Sequence, residues 1–109
     1  MSIEVTARHI DGAEAAKQYA QERSRKLMDM FPRVEHVHVI LDVEKHRHAA
    51  EVVVQAKNHI HIEADEKSDD MANSIDIAFE RAEKQLRKLR EKVQDHRVKP
   101  GEIVEKDVL

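Results

Sequence analysis

The sequence predicts an α+β domain with the element order β-α-β-β-β-α, a four-stranded sheet with two helices packed on one of its faces. Three observations carry this reading. Apolar and polar residues alternate over 3–6, 36–43, 50–56 and 59–64, the two-residue period of a half-buried strand. Over 13–31 and 69–95 the apolar residues instead recur at spacings of three and four, which is the period of an amphipathic helix. The connections between the last three strands are short, so those strands are antiparallel neighbours, while the first helix is a crossover that sets the first strand parallel to the second. Both helices then cover one face of the sheet and the other face meets water.

In the first strand Ile3 and Val5 alternate with Glu4 and Thr6, and Asp11-Gly12 breaks the pattern. Ala13, Ala16, Ala20, Ser24, Leu27 and Phe31 then share one side of a helix that Pro32 ends. Alanines bury little area, so this helix depends on the sheet beneath it. Val37, Val39, Leu41 and Val43 make the cleanest strand, alternating with His36, His38, Ile40 and Asp42. The polar residues 44–48 read as a loop, followed by Ala50, Val52, Val54 and Ala56 facing inward. Lys57-Asn58 is a tight turn in which Asn takes a left-handed conformation. Ile60, Ile62 and Ala64 point inward from the last strand, with His59, His61 and Glu63 outward, and the acidic residues 65–70 lead into the long helix.

That helix carries Met71, Ile75, Ala78, Phe79, Ala82, Leu86, Leu89 and Val93 on its buried side. Ser68 or Asp69 caps its first turn, with Asp70 near the positive end of the helix dipole. The pattern stops after Asp95 and Lys99-Pro100-Gly101 breaks any helix, so residues 1–95 read as the folded domain and 96–109 as a flexible tail.

At 109 residues there is room for one modest core. Charged residues make up 38% and aromatics 3%, so that core is aliphatic, which favours a small layered domain over an aromatic-lined cleft. With no cysteine there is no disulfide, thiolate zinc site or cysteine nucleophile. The start of the chain enters a strand pattern with no leader-like run, and no stretch is long and apolar enough for a membrane span, so the expected location is the cytoplasm.

The net charge of −3 argues at first against a nucleic-acid partner, but its distribution reverses the argument. Arg81, Lys84, Lys88 and Lys92 stack along one stripe of the long helix, with Arg87 and Arg90 nearby, and make a linear track for phosphates. The alternative is a solvated helix face laced with pairs such as Glu80 to Lys84.

Several segments together resemble the ribosome hibernation promoting factor family, which includes the ribosome-associated translation inhibitor. They are the opening Ile3-Glu4-Val5-Thr6-Ala7-Arg8-His9-Ile10, then Val39-Ile40-Leu41-Asp42-Val43-Glu44-Lys45, Ala50-Glu51-Val52, Asp70-Met71 ahead of Ile75-Asp76, and Lys84-Gln85-Leu86-Arg87-Lys88. The resemblance implies a fold similar to double-stranded-RNA-binding domains. It implies binding to the small ribosomal subunit and its ribosomal RNA, in the channel of messenger and transfer RNA, as a translation inhibitor of resting or stressed bacterial cells. The family's basic positions match Arg8, Arg23, Lys26, Arg81, Lys84, Lys88 and Lys92; Arg25 and Arg87 are basic here without being clear family positions. The chain departs from the family's usual pattern at Ala7, Gly12, Ser24, Asp29 and Ala72. Its length resembles the family's short form, and it is expected to be monomeric off the ribosome.

Two other classes of function compete with this one. His36 with His38 and His59 with His61 place imidazoles on the open face of the sheet, where a small metal-binding or protein-interaction module is the alternative function. No pattern of carboxylates or other groups that would orient the imidazoles fixes such a metal site, so no metal or other cofactor is expected. Ser24, Ser68 and Ser74 lie in no nucleophile motif and only Gly12 and Gly101 are present, so no enzyme and no small-molecule substrate are expected.

Overall fold

Val37, Val39 and Leu41 alternate along one strand, and the strand register carries that alternation across the whole sheet. A computed structural model describes residues 2–98, with side-chain surroundings for residues 2–90. Its elements are β1 (Ser2–Arg8), α1 (Glu14–Met30), β2 (Val34–Glu44), β3 (Arg47–Ala56), β4 (Ile60–Ser68) and α2 (Met71–Val98). They form the expected four-stranded sheet in the order β1-β2-β3-β4, with β1 parallel to β2 and the other neighbours antiparallel. Ile3, Val5 and Ala7 lie opposite Val37, Val39 and Leu41, which in turn face Val54, Val52 and Ala50. Ile62 and Ala64 complete the layer on β4. A slip of one residue in β2 would bury His36 and His38, so the pattern itself fixes the register.

α1 packs on β1 and β2, and α2 packs on β3 and β4. Ala20, Ser24 and Leu27 are fully buried under α1; Ile75, Ala78, Phe79 and Ala82 are fully buried under α2. Ser24, the polar member of its stripe, donates its hydroxyl to the Ala20 carbonyl at 2.8 Å and so is buried without an orphaned donor. Contacts ascend together along the helices, Tyr19 with Asp76, Arg23 with Glu83 and Phe31 with Arg90, so α1 and α2 lie side by side in the same direction.

The structure corrects several boundaries. The last strand does not end at residue 64: β4 runs on to Ser68, with Glu66 and Ser68 opposite Ala50 and His48. Backbone pairing needs no apolar side chain, and the Glu66 carboxylate is held by Arg81 at 2.8 Å. The 44–48 loop contracts to Lys45-His46, because Glu44 and Arg47 pair across the strands and Lys45 takes φ of 60°. Asn58 is left-handed as expected, but His59 is too, so His59 sits in the turn and does not share a strand face with His61. The cap of α2 is Asp70, whose carboxylate accepts the Asn73 N–H at 3.1 Å; the Ser68 hydroxyl braces it from behind through the Asp70 carbonyl at 2.8 Å. α2 continues past Asp95 to Val98. The side chain of Val93 and residues 99–109, where most of the expected tail falls, lie outside the described residues.

Tyr19 donates its phenol to Asp76 and ties the two helices. That bond, followed by burial, holds the Tyr19 proton more firmly than in a free tyrosine and raises its pKa. A raised folded pKa means stability that is fully present below the unfolded value, about 10, and is lost as pH rises through the folded one. Tyr19→Phe is therefore expected to lower the urea midpoint at pH 8 and to remove part of the fall seen in the parent chain at alkaline pH.

Candidate nucleic-acid interface

The outer surface of the helix layer divides the sequence-predicted cations by what each already holds. Lys26 on α1 and Lys84 and Lys88 on α2 are exposed, and among the described residues none of them has a carboxylate within ion-pair distance. The Glu80 to Lys84 pair that a merely solvated face would favour does not form. Arg87 is 47% exposed and touches Glu83 one turn earlier at 3.6 Å, a loose pair that leaves most of its donors outward.

Arg23 and Arg81 hold partners within the molecule, although Arg81 stays 53% exposed. Arg23 is only 21% exposed, lying between Asp76 at 3.5 Å and Glu83 at 3.6 Å with its guanidinium 5.4 Å from the centre of the Phe79 ring. It braces α1 against α2. Arg81 donates to the Asp65 main-chain carbonyl at 2.6 Å and to the Glu66 carboxylate at 2.8 Å, and Gln85 donates to the Glu63 carbonyl at 3.3 Å. Both side chains hook over β4, an edge strand, and occupy two of its outward carbonyls. Arg81→Ala is expected to cost about 1 kcal/mol, discounted for exposure, measured as a lower urea midpoint with unchanged slope.

The remaining predicted residues are not brought to this surface. Arg8 closes β1 on the other face of the sheet, opposite Asp42. There His9 holds Asp42 at 2.9 Å and, with smaller help from Arg8, keeps its carboxyl below the usual carboxylate range. Arg25 follows Arg23 by two positions and so lies roughly 200° round α1, on the flank away from α2. The Lys92 side chain lies outside the described residues. One cation left out of the predicted set belongs to the surface: Arg90 stacks 4.9 Å over the Phe31 ring, joining the end of α1 to α2. Its only sequence signal was its place beside the track.

The lysines therefore stand on a helix fixed at both flanks, by Arg23 and Tyr19 on one side and by Arg81 and Gln85 on the other. Such a surface can meet a phosphate backbone through charge, without base stacking, because Phe31 and Phe79 are in the core. On the opposite face His36 and His38 have ring centres 6.4 Å apart, and His61 bonds Glu63 at 2.9 Å. Among the described residues no group of three or more His, Asp or Glu could hold a metal ion. No helix of the described residues is long and apolar enough to cross a membrane.

Comparison with known proteins gives a consistent picture. Residues 3–94 match the family model described as Sigma 54 modulation protein / S30EA ribosomal protein. The chain is 28% identical over 96 residues to the ribosome hibernation promoting factor of Escherichia coli strain K12, covering 88% of this chain and 100% of that one. It is 26% identical over 94 residues to the ribosome hibernation promoting factor of Pseudomonas putida, covering 86% of this chain and 91% of that one. Among solved structures, a ribosomal subunit interface protein from Coxiella burnetii aligns with a TM-score of 0.74 at 22% identity, over 83% of this chain and 98% of its own. The N-terminal domain of Thermus thermophilus Protein Y aligns with a TM-score of 0.71 at 23% identity, over 82% and 99%. These two share the fold.

Proposed function

The chain belongs to the Sigma 54 modulation protein / S30EA ribosomal protein family, and on that footing we propose that it is a ribosome hibernation factor which inhibits translation by occupying the messenger and transfer RNA channel of the small subunit. The observation that carries the reading is the pair of exposed lysines, Lys84 and Lys88, which have no carboxylate partner among the described residues and stand on a helix braced by its neighbours. Lys26, Lys84, Arg87, Lys88 and Arg90 make the phosphate contacts on this reading, and Lys92 extends them by its spacing. Arg23 and Arg81 act indirectly, keeping the helices in place. Arg8 and Arg25 serve contacts away from the main track.

Occlusion makes and breaks no bond. Each lysine or arginine that replaces condensed counterions on a phosphate adds to the salt dependence, so about six contacts cost roughly a thousandfold or more in affinity over a moderate rise in salt. The acting species is a cytoplasmic monomer that requires no cofactor. Sedimentation with purified small subunits tests the reading: the chain should co-sediment at low salt, release at moderate salt, and be displaced when messenger and initiator transfer RNA are bound first. Binding that is indifferent to those RNAs would place the site elsewhere.

A further inference from the structure

The open face of the sheet carries charge of the opposite sign to the helix layer, concentrated where β3 meets β4. Glu51 and Asp65 stand directly opposite one another across these strands, and Glu63 follows in the next row opposite Val53. Like charges set opposite across a ladder destabilise it. Lys67 shares this face one row further along β4, opposite Ala49, but among the described residues neither Glu51 nor Asp65 has a cation within ion-pair distance, and Glu63 meets only His61. Arg81 reaches this edge but gives its guanidinium to the Asp65 main-chain carbonyl and to Glu66. Beside the carboxylates lie Ile40 and Val53, two apolar side chains on the same open face, where Glu51 is the neighbour of Ile40 on β2.

We propose that the β3–β4 half of the open face is a docking surface for a lysine- and arginine-rich polypeptide segment, which supplies the counter-charge that Glu51, Glu63 and Asp65 lack. The aliphatic stems of such a segment lie on Ile40 and Val53 while their charged ends reach the carboxylates. This rests on the proposed function in one respect. A chain held by its helix layer against phosphate turns this face to the opposite wall, and a carboxylate face repels phosphate, so the wall it fits is basic protein.

The test is the triple variant Glu51→Gln, Glu63→Gln, Asp65→Asn, which removes repulsion and should fold at least as stably as the parent. On intact small subunits it should bind about tenfold more weakly than the parent, while on protein-free small-subunit RNA it should bind equally or more tightly. Unchanged or tighter binding to intact subunits overturns the proposal, since it means that the face meets solvent or phosphate. Should the parent chain fail to sediment at all, the proposed function falls and a second arm decides this one. A synthetic ten-residue peptide of alternating lysine and leucine is titrated into the free chain at moderate salt and followed by amide NMR. Shifts confined to β3, β4 and their β2 neighbour that vanish in the triple variant support the docking surface; no shifts, or shifts spread over the chain, refute it.

Discussion

Reversing Lys84 and Lys88 to glutamate is expected to abolish binding to the small subunit at moderate salt while leaving the domain folded. Both side chains are exposed and, among the described residues, unpaired, so no buried contact is lost and the change in stability stays within about 0.5 kcal/mol. The electrostatic effect is much larger. Two phosphate contacts disappear and two repulsions replace them, and the slope of log affinity against log salt should fall by about two. Titration at three salt concentrations, with thermal unfolding as the folding control, checks both halves. An unchanged slope would remove this stripe of α2 from the contact surface.

The second large effect concerns the support beneath that stripe. Phe79 is the largest fully buried side chain, and Arg23 stacks on it from α1, so Phe79→Ala both opens a cavity and loosens the brace between the helices. The expected cost is about 3–5 kcal/mol, out of a total of about 5–15 kcal/mol for a domain of this kind. The melting temperature should fall by about 12 °C or more. A loss below about 1 kcal/mol would mean that the two helices do not depend on this contact. Ribosome binding by the variant should weaken through the unfolded fraction and, more modestly, through the loosened brace beneath the lysines, since Phe79 lies in the core under them.

The fold was legible because its strands and helices each bury one side, and a buried side leaves a period in the sequence. Val37, Val39 and Leu41 fixed β2, and Ile75, Phe79 and Leu86 fixed α2, without help from any special residue. The ends were not legible for a related reason: residues 65–68 pair with β3 through the main chain, and their polar side chains carry no apolar alternation to report it. The same limit applies to the site. Residue type identified the cations, but an arginine's reach lets it pair across elements that are distant in sequence. Arg81, a residue of the predicted track, pairs with β4, and Arg23, which only the resemblance singled out, pairs with α2, whereas Lys84 and Lys88 have no partner among the described residues. Arg8 belongs to the opposite face because its parity on β1 follows Thr6, a distinction that the alternation already contained.

On the proposed function the helix layer faces the ribosomal RNA of the channel and the β3–β4 half of the open sheet face does not. Because the chain has no cysteine, a hydroxyl-radical source can be tethered at a single introduced one. With Glu80→Cys on the exposed side of α2, cleavage of small-subunit RNA should be strong and confined to the segments lining the messenger and transfer RNA path. With Gln55→Cys on the open face, it should be weak. Equal cleavage from both positions, or strong cleavage from Gln55→Cys alone, would mean that the helix layer is not the face turned to the RNA.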